Sequence, residues 1–172
     1  LIRMKTKLFL AILVIGSLSC KSQPNKDYLS LAVSQLESGN FENVVKYMDT
    51  LVALDKDNID AYSFRGVAKG QLQDFKGALE DFNTLIKLDP KNSTAYDHRG
   101  ICKKNLDDYK GALADYNKAI ELNPANGEAY SNRAVVKYYF LSDSIGACED
   151  WEKSVNAGYA KANQIRKGKC PS

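Results

Sequence analysis

The chain has 172 residues, of which 44% are hydrophobic and 26% charged, with a formal net charge of +3. This length suits a single domain. The positive excess comes from Arg3, Lys5 and Lys7 in a stretch without acids, so residues 20–172 have a net charge of 0. A DNA- or RNA-binding protein needs a concentrated basic surface, so we expect no nucleic-acid partner.

Residues 1–19 have the composition of an export signal. Lys5 and Lys7 precede the apolar run Leu8–Leu18, which ends in Ser19 and Cys20. A basic start, an apolar core of about 7–15 residues and small residues at the end are typical of a secretory signal peptide. The run is shorter than the roughly 20 residues of a bilayer span.

The segment Ser17–Cys20 resembles a bacterial lipoprotein signal, although serine stands at position 17 where leucine is preferred. The resemblance implies that Cys20 is lipidated and that residues 20–25 tether the protein to a membrane of the cell envelope, facing the periplasm or the exterior. Cleavage near Ser19, which would release a secreted protein, is the alternative.

A step of 34 residues runs through the rest of the chain. It separates successive members of five series: Tyr28, Tyr62, Tyr96 and Tyr130; Phe41, Phe75 and Tyr109; Val44, Ala78 and Ala112; Met48, Phe82 and Tyr116; Pro90 and Pro124. A fixed period of about 20–50 residues is typical of repeat proteins. The step predicts four repeats near residues 26–59, 60–93, 94–127 and 128–158.

Residues 26–172 are identified as a tetratricopeptide repeat (TPR) domain, most clearly in the segments Asp60–Pro90 and Thr94–Pro124. The first segment fills the signature places with Tyr62, Gly66, Phe75, Ala78, Phe82 and Pro90. In the last repeat Ala134 replaces the glycine, and one residue is inserted. The resemblance implies an all-α solenoid in which each repeat is a helix pair and stacking covers the apolar faces.

Helix-stop signals agree with this interpretation. The Asp-Pro and Asn-Pro pairs at 89–90 and 123–124 end the second helices, because a residue before proline is disfavoured in the α region. Small residues such as Gly66 and Gly100 allow two helices to approach closely.

The C-terminal segment is predicted to cap the solenoid. Gly158 ends the last repeat, and residues 159–168 are expected to form a helix that folds back. Cys148 and Cys170 stand ten residues before and twelve after Gly158, so they come level in an antiparallel hairpin. An oxidising compartment permits a disulfide between them, and two unpaired thiols are the alternative. Cys102 is expected to be a buried core thiol.

Charged residues also follow the repeat. Arg65, Arg99 and Arg133 have regularly spaced partners at Asp81, Asp115 and Asp150. The spacing favours a ladder of ion pairs between packed helices, and a ligand-binding row of arginines is the alternative.

The sequence shows no catalytic pattern. It has one histidine, His98, and neither a Gly-x-Ser-x-Gly motif nor a glycine-rich phosphate loop. It also has no Cys-x-x-Cys pair. We therefore expect no catalytic residue, no metal site and no cofactor, and the protein is not predicted to be an enzyme.

TPR arrays bind extended peptides or partner helices on a concave face formed by the first helices. The resemblance implies that this surface carries Leu29, Val33, Phe64, Val67, His98, Ile101, Asn132, Val135 and Tyr139. Chaperone-binding members have a clamp of Asn, Lys and Arg for a terminal carboxylate. The matching places here hold Val33, Phe64, Thr94 and His98, which predicts an apolar surface with Phe64 as a main anchor.

Two functions fit these features. The first is a membrane-anchored module that binds a protein or peptide partner on the concave face. The second is a structural subunit of an envelope complex or a self-assembling array. In that case the apolar strip is covered by the protein itself, for instance by a dimer mate or the tether. A stable monomer with an open groove favours the first function, and an obligate oligomer favours the second.

Overall fold

The computed structural model describes residues 24–171, so the predicted signal peptide and Cys20 lie outside the described residues. Within that range the chain forms nine helices and no strand. They are α1 (Pro24–Glu37), α2 (Phe41–Leu54), α3 (Ile59–Gln71), α4 (Phe75–Leu88), α5 (Ser93–Asn105), α6 (Tyr109–Leu122), α7 (Gly127–Phe140), α8 (Ser144–Asn156) and α9 (Lys161–Arg166).

The predicted all-α array of four helix pairs and a terminal helix is confirmed. Each pair begins one or two residues earlier than predicted. The largest difference is at the N-terminus, where Pro24 and Asn25 belong to α1 rather than to the tether. Proline is well suited to the first turn of a helix, because its missing N–H would have no helical partner there.

Side-chain caps determine where most of the helices begin. Asn58, Asn92 and Asn126 precede α3, α5 and α7, and each Oδ1 accepts a hydrogen bond from a backbone N–H at 2.9–3.0 Å. The second helices α4, α6 and α8 are capped in the same way by Asp74, Asp108 and Asp143. These caps satisfy amide groups that have no partner within the helix, so one polar residue per helix sets the register of the array.

The proline turns end the second helices where the sequence predicts. α4 ends at Leu88 and α6 at Leu122, directly before the Asp-Pro and Asn-Pro pairs. Asp89 has an extended backbone, with φ −132° and ψ 88°. This conformation avoids the clash with the proline ring that would follow from a helical residue.

The two helices of a pair approach each other through glycine. A Cβ atom on Gly66 would lie 2.9 Å from the ring of Phe82, and one on Gly100 would lie 2.6 Å from the ring of Tyr116. Both rings are fully buried. Alanine at either glycine would therefore push the helices apart, and the predicted close approach is confirmed.

The C-terminal segment packs against α8. α9 spans six residues, which is shorter than the predicted 159–168, because the chain turns at Gly158 with φ +87° and at Gly168 with φ +79°. Ala162 of α9 and Trp151 of α8 are fully buried in one cluster. The segment thus covers the last apolar face of the array.

The disulfide between Cys148 and Cys170 is present, with Cα atoms 5.6 Å apart. Cys148 lies inside α8, which Asp143 caps five residues earlier. The two cysteines are 22 residues apart in the sequence. Closing a loop of that length stabilises the fold by roughly 3 kcal/mol in the chain-entropy model. Cys102 is a buried free thiol, and burial raises its pKa to about 11.

None of the helices between residues 24 and 171 is long and apolar enough to cross a bilayer.

Candidate functional site

The first helices of successive pairs form a common surface. Contacts that skip one helix join α1 to α3, α3 to α5 and α5 to α7. We call this surface of α1, α3, α5 and α7 the groove. The nine predicted partner-binding residues lie on these four helices.

Side chains at the N-terminal part of the groove are partly buried against the core. Leu29 and Phe64 pack against the buried cluster of the first helix pair, which includes Ala32 and Met48. Val33 is 40% exposed. Phe64 is therefore partly used for packing inside the array, so its truncation would alter the fold as well as the groove.

The middle of the groove holds an open cavity of about 190 Å³. Its lining residues are Val67, Gly70 and Gln71 of α3, Phe75 and Phe82 of α4, His98, Ile101 and Cys102 of α5, and Glu128 of α7. We call this space the α3–α5 cavity. Three predicted residues, Val67, His98 and Ile101, are brought together here.

His98 forms part of the aromatic wall of the cavity. Its ring stacks on that of Phe82 with centroids 5.4 Å apart and an angle of 22° between the planes. Burial lowers the pKa of His98 below its ordinary 6.5, and the negative charge of Glu128 opposes that change. The imidazole is consequently neutral at pH 7.

Asn132 forms a hydrogen bond with a buried acid. Its Nδ2 donates to Oδ1 of Asp97 at 3.0 Å, linking α7 to α5. Asp97 is only 3% exposed. Burial raises the pKa of Asp97 from 3.8 to about 6, the Asn132 hydrogen bond opposes this change, and the charge of Glu128 adds to it. At pH 7 the cavity therefore lies beside a mostly ionised carboxylate.

A second depression of about 470 Å³ lies at the C-terminal ends of α5 and α7. Val135 and Tyr139, both predicted, line it together with Tyr109 and Phe140. The rings of Tyr109 and Phe140 stack with centroids 4.1 Å apart. Five of the nine predicted residues thus line two depressions of the groove, Val67, His98 and Ile101 the first and Val135 and Tyr139 the second.

The arginine ladder is confirmed as structural. In the repeat of residues 94–127, Arg99 donates through Nη2 and Nε to the two carboxylate oxygens of Asp115 at 2.6 and 2.9 Å. Its Nη1 donates to Asn83 of the preceding pair at 3.0 Å. Lys103 reaches the same aspartate at 2.8 Å. All these donors are engaged within the protein, so the row is not an open ligand site.

The same arrangement occurs twice more. Arg65 and Lys69 bind Asp81, and Arg133 and Lys137 bind Asp150. Each arginine also lies over the tyrosine three residues before it, at 5.2–5.4 Å from the ring centroid. A planar guanidinium that binds a carboxylate with two parallel bonds is the stronger form of ion pair.

The sequence prediction missed Asp97 and Glu128 as residues of this site. A signal for Asp97 was available, because the positions 34 residues to either side hold Ser63 and Ser131. An acid in a place where both neighbouring repeats have serine marks a local departure from the scaffold. Glu128 follows the start of α7, and no sequence pattern indicates that it reaches the α3–α5 cavity.

Comparisons with known proteins agree with the fold. One family profile described as "Tetratricopeptide repeat" matches residues 59–92, and another described as "TPR repeat" matches residues 105–138. A search of curated proteins finds no match. The chain therefore contains tetratricopeptide repeats at these residues and has an all-α solenoid fold.

Solved structures show the same architecture. A crystal structure of MamA has 20% identity and a TM-score of 0.72, covering 83% of this chain and 78% of that one. A MamA fragment from Desulfovibrio magneticus RS-1 has 20% identity and a TM-score of 0.70, with 86% and 88% covered. The first TPR of Spaghetti (RPAP3), bound to HSP90 peptide SRMEEVD, has 22% identity and a TM-score of 0.67, with 70% and 95% covered. At these identities the likeness shows the fold alone.

Proposed function

We propose that this TPR solenoid is a protein-interaction module that binds an extended segment or a helix of a partner protein in the groove. The observation that carries the proposal is the α3–α5 cavity, whose walls include Val67, Ile101 and Phe82 and which is open to solvent. An apolar depression with a few polar groups is the usual form of a recognition site. The peptide seen on the similar RPAP3 domain supports the choice of ligand class.

The chemistry of the groove favours apolar anchors over a terminal carboxylate. The places that match the carboxylate clamp hold Val33, Phe64, Thr94 and His98. His98 is neutral at pH 7 because its pKa is lowered by burial. A peptide whose C-terminal carboxylate is its main anchor would therefore find no cation at these places.

The test uses peptides selected from a phage-displayed random dodecamer library on the purified protein. Ile101→Ala is expected to weaken the selected peptides by about tenfold or more, as truncation of a central apolar anchor does, measured by isothermal titration calorimetry. Val67→Ala on the opposite wall is an independent variant. Leu54→Ala, which removes a 57% exposed leucine at the end of α2, is the matched control and should bind normally.

Two results would contradict the proposal. If neither Ile101→Ala nor Val67→Ala changes the affinity while circular dichroism shows both variants folded, the groove is the wrong surface. If no peptide is enriched over an unrelated protein, the peptide-binding function itself is wrong.

A second candidate, a structural subunit of an envelope complex or of a self-assembling array, is favoured by the turn between α7 and α8. Tyr139, Phe140, Leu141 and Ile145 are 56%, 45%, 41% and 78% exposed there. Contiguous exposed apolar side chains are typical of interaction surfaces. Sedimentation velocity on the same preparation distinguishes the two candidate functions. A monomer supports the protein-interaction module, and an oligomer that Ile145→Asp dissociates supports the self-assembling array.

The location is also a proposal, and it rests on residues outside the described range. The N-terminal pattern supports lipidation of Cys20 and anchoring in a bacterial envelope membrane. The Cys148–Cys170 disulfide supports an oxidising compartment. Cys20→Ala should move the protein from the membrane to the soluble fraction, whereas Cys102→Ala should not. A wild-type protein that is already soluble and secreted would overturn the anchor.

A further inference from the structure

The α3–α5 cavity contains one side chain that is charged at pH 7, and it is an acid. Glu128 lines the cavity, and the other lining residues are apolar, aromatic, glycine, the neutral amide of Gln71 and the neutral imidazole of His98. Glu128 is close enough to act electrostatically on both Asp97 and His98. The centre of the groove is therefore negative.

Within the described part of the chain, no lysine or arginine forms an ion pair with the acids of this region. Elsewhere the buried acids Asp81, Asp115 and Asp150 each bind one arginine and one lysine. Among residues 27–171 neither Glu128 nor Asp97 forms an ion pair. The same chain thus neutralises the acids between its paired helices and leaves the two acids of the groove without a cation.

We propose that the α3–α5 cavity receives a lysine or arginine side chain of the bound partner, with Glu128 as its counter-ion. The apolar stem of that side chain lies along Val67 and Ile101, and its charged end reaches Glu128. Long cationic side chains commonly bury their methylene groups against apolar surface and keep the charge at a polar group. This inference rests on the proposed function and specifies the ligand of the same site.

The size and the walls of the cavity fit this occupant. Its volume of about 190 Å³ is below the roughly 300–1,000 Å³ of small-molecule pockets, so it suits a single side chain. Phe75, Phe82 and His98 line it. Aromatic faces attract a cation within about 6 Å of the ring centroid, and the chain itself shows this contact between Arg99 and Tyr96 at 5.2 Å. A glutamate or aspartate on the partner would be repelled by Glu128 and Asp97.

The experiment continues from the dodecamer library. Peptides selected on the wild-type protein are expected to share one lysine or arginine flanked by apolar residues. The leading peptide is then synthesised with that residue and with norleucine in its place. Because Glu128 is exposed in the free protein, the wild type should lose about threefold to fivefold in affinity for the norleucine peptide, as expected for a solvent-accessible charge pair. Glu128→Gln should bind both peptides equally.

Glu80→Gln is the matched control, because it removes the same charge from an exposed position of α4. It should discriminate between the two peptides as the wild type does. The single histidine of the chain provides a second readout, since the NMR signal of the His98 ring reports directly from the cavity wall. The lysine peptide should shift that signal.

The outcomes separate this inference from the proposed function. Enriched apolar or acidic peptides without a common basic position overturn the cation site and leave groove binding standing. The same holds for a lysine peptide that Glu128→Gln binds normally, or that leaves the His98 signal unmoved. The absence of any enriched peptide overturns the proposed function itself.

Discussion

Asp115 and Asp97 lie in the same helix pair and are both 3% exposed, but their surroundings are opposite. Asp115 accepts hydrogen bonds from Arg99 and lies 2.8 Å from the ammonium of Lys103. Asp97 has the neutral amide of Asn132 at 3.0 Å and no ion pair in the described chain. Burial raises the pKa of Asp97 from 3.8 to about 6.

The difference indicates two roles for one residue type. A buried carboxylate that is fully paired belongs to the scaffold, and here it recurs in three repeats with its partners. A buried carboxylate without a cation is unfavourable for folding, and among the described residues it occurs once, at Asp97, directly before His98 of the cavity wall. Strongly perturbed acids in a cleft are candidates for functional residues, which agrees with the place of Asp97 in the groove.

The largest loss of folding stability is expected when one carboxylate of the buried ion pairs is replaced. Asp115→Asn leaves Arg99 and Lys103 largely buried without a counter-ion, since their side chains are 18% and 22% exposed. Removing one partner of a buried ion pair lowers the free energy of unfolding by about 3–5 kcal/mol. Urea denaturation of variant and wild type measures this change.

Glu121→Gln is the matched control for that experiment. Its carboxylate is 67% exposed and pairs with Lys118 on the surface of α6, so stability should be unchanged, as for most surface ion pairs. An Asp115→Asn protein as stable as Glu121→Gln would show that the ladder contributes nothing to folding.

Sequence reasoning predicted the scaffold well because each scaffold feature recurs. The Arg–Asp pairs followed from the 34-residue step, and the structure places Arg99 on Asp115 as expected. Lys103 also recurs at that step, but the prediction overlooked it. The terminal helix was predicted too long because it occurs once, so no repeat indicated that Gly168 turns the chain.

The site was predicted less completely, because only some of its residues recur with the 34-residue step. Val67 and Ile101 occupy equivalent places in successive repeats, so the pattern located them on the groove, where they line one cavity. Phe64, expected to be a main anchor, is partly buried against the core that includes the first pair, and its part in binding stays a prediction. The contribution of Glu128 depends on the distance between α7 and the α3–α5 cavity, and a one-dimensional pattern contains no such distance.

Replacing the unpaired carboxylate of Asp97 is expected to change the free energy of unfolding less, and to increase it. In the native state the pKa of Asp97 is about 6, above its ordinary 3.8. The native protein thus holds a proton that the unfolded chain has released, so wild-type stability falls as the pH rises from about 4 to about 6. Asp97→Asn keeps the shape and the hydrogen bond to Asn132 without the charge. It should raise the free energy of unfolding at pH 7.5 by about 3 kcal/mol.

The pH dependence identifies the cause of that gain. At pH 4 the carboxylate of Asp97 is protonated in the native wild-type protein, so Asp97→Asn and wild type should have similar urea midpoints. At pH 7 the midpoint of Asp97→Asn should be the higher of the two. Other groups titrate equally in both proteins and cancel in the difference. A variant less stable than wild type at pH 7.5 would place Asp97 with Asp115 as part of the scaffold. A variant that is more stable but binds the lysine peptide more weakly would show that the acid is retained for binding at the expense of stability, as functional sites often are.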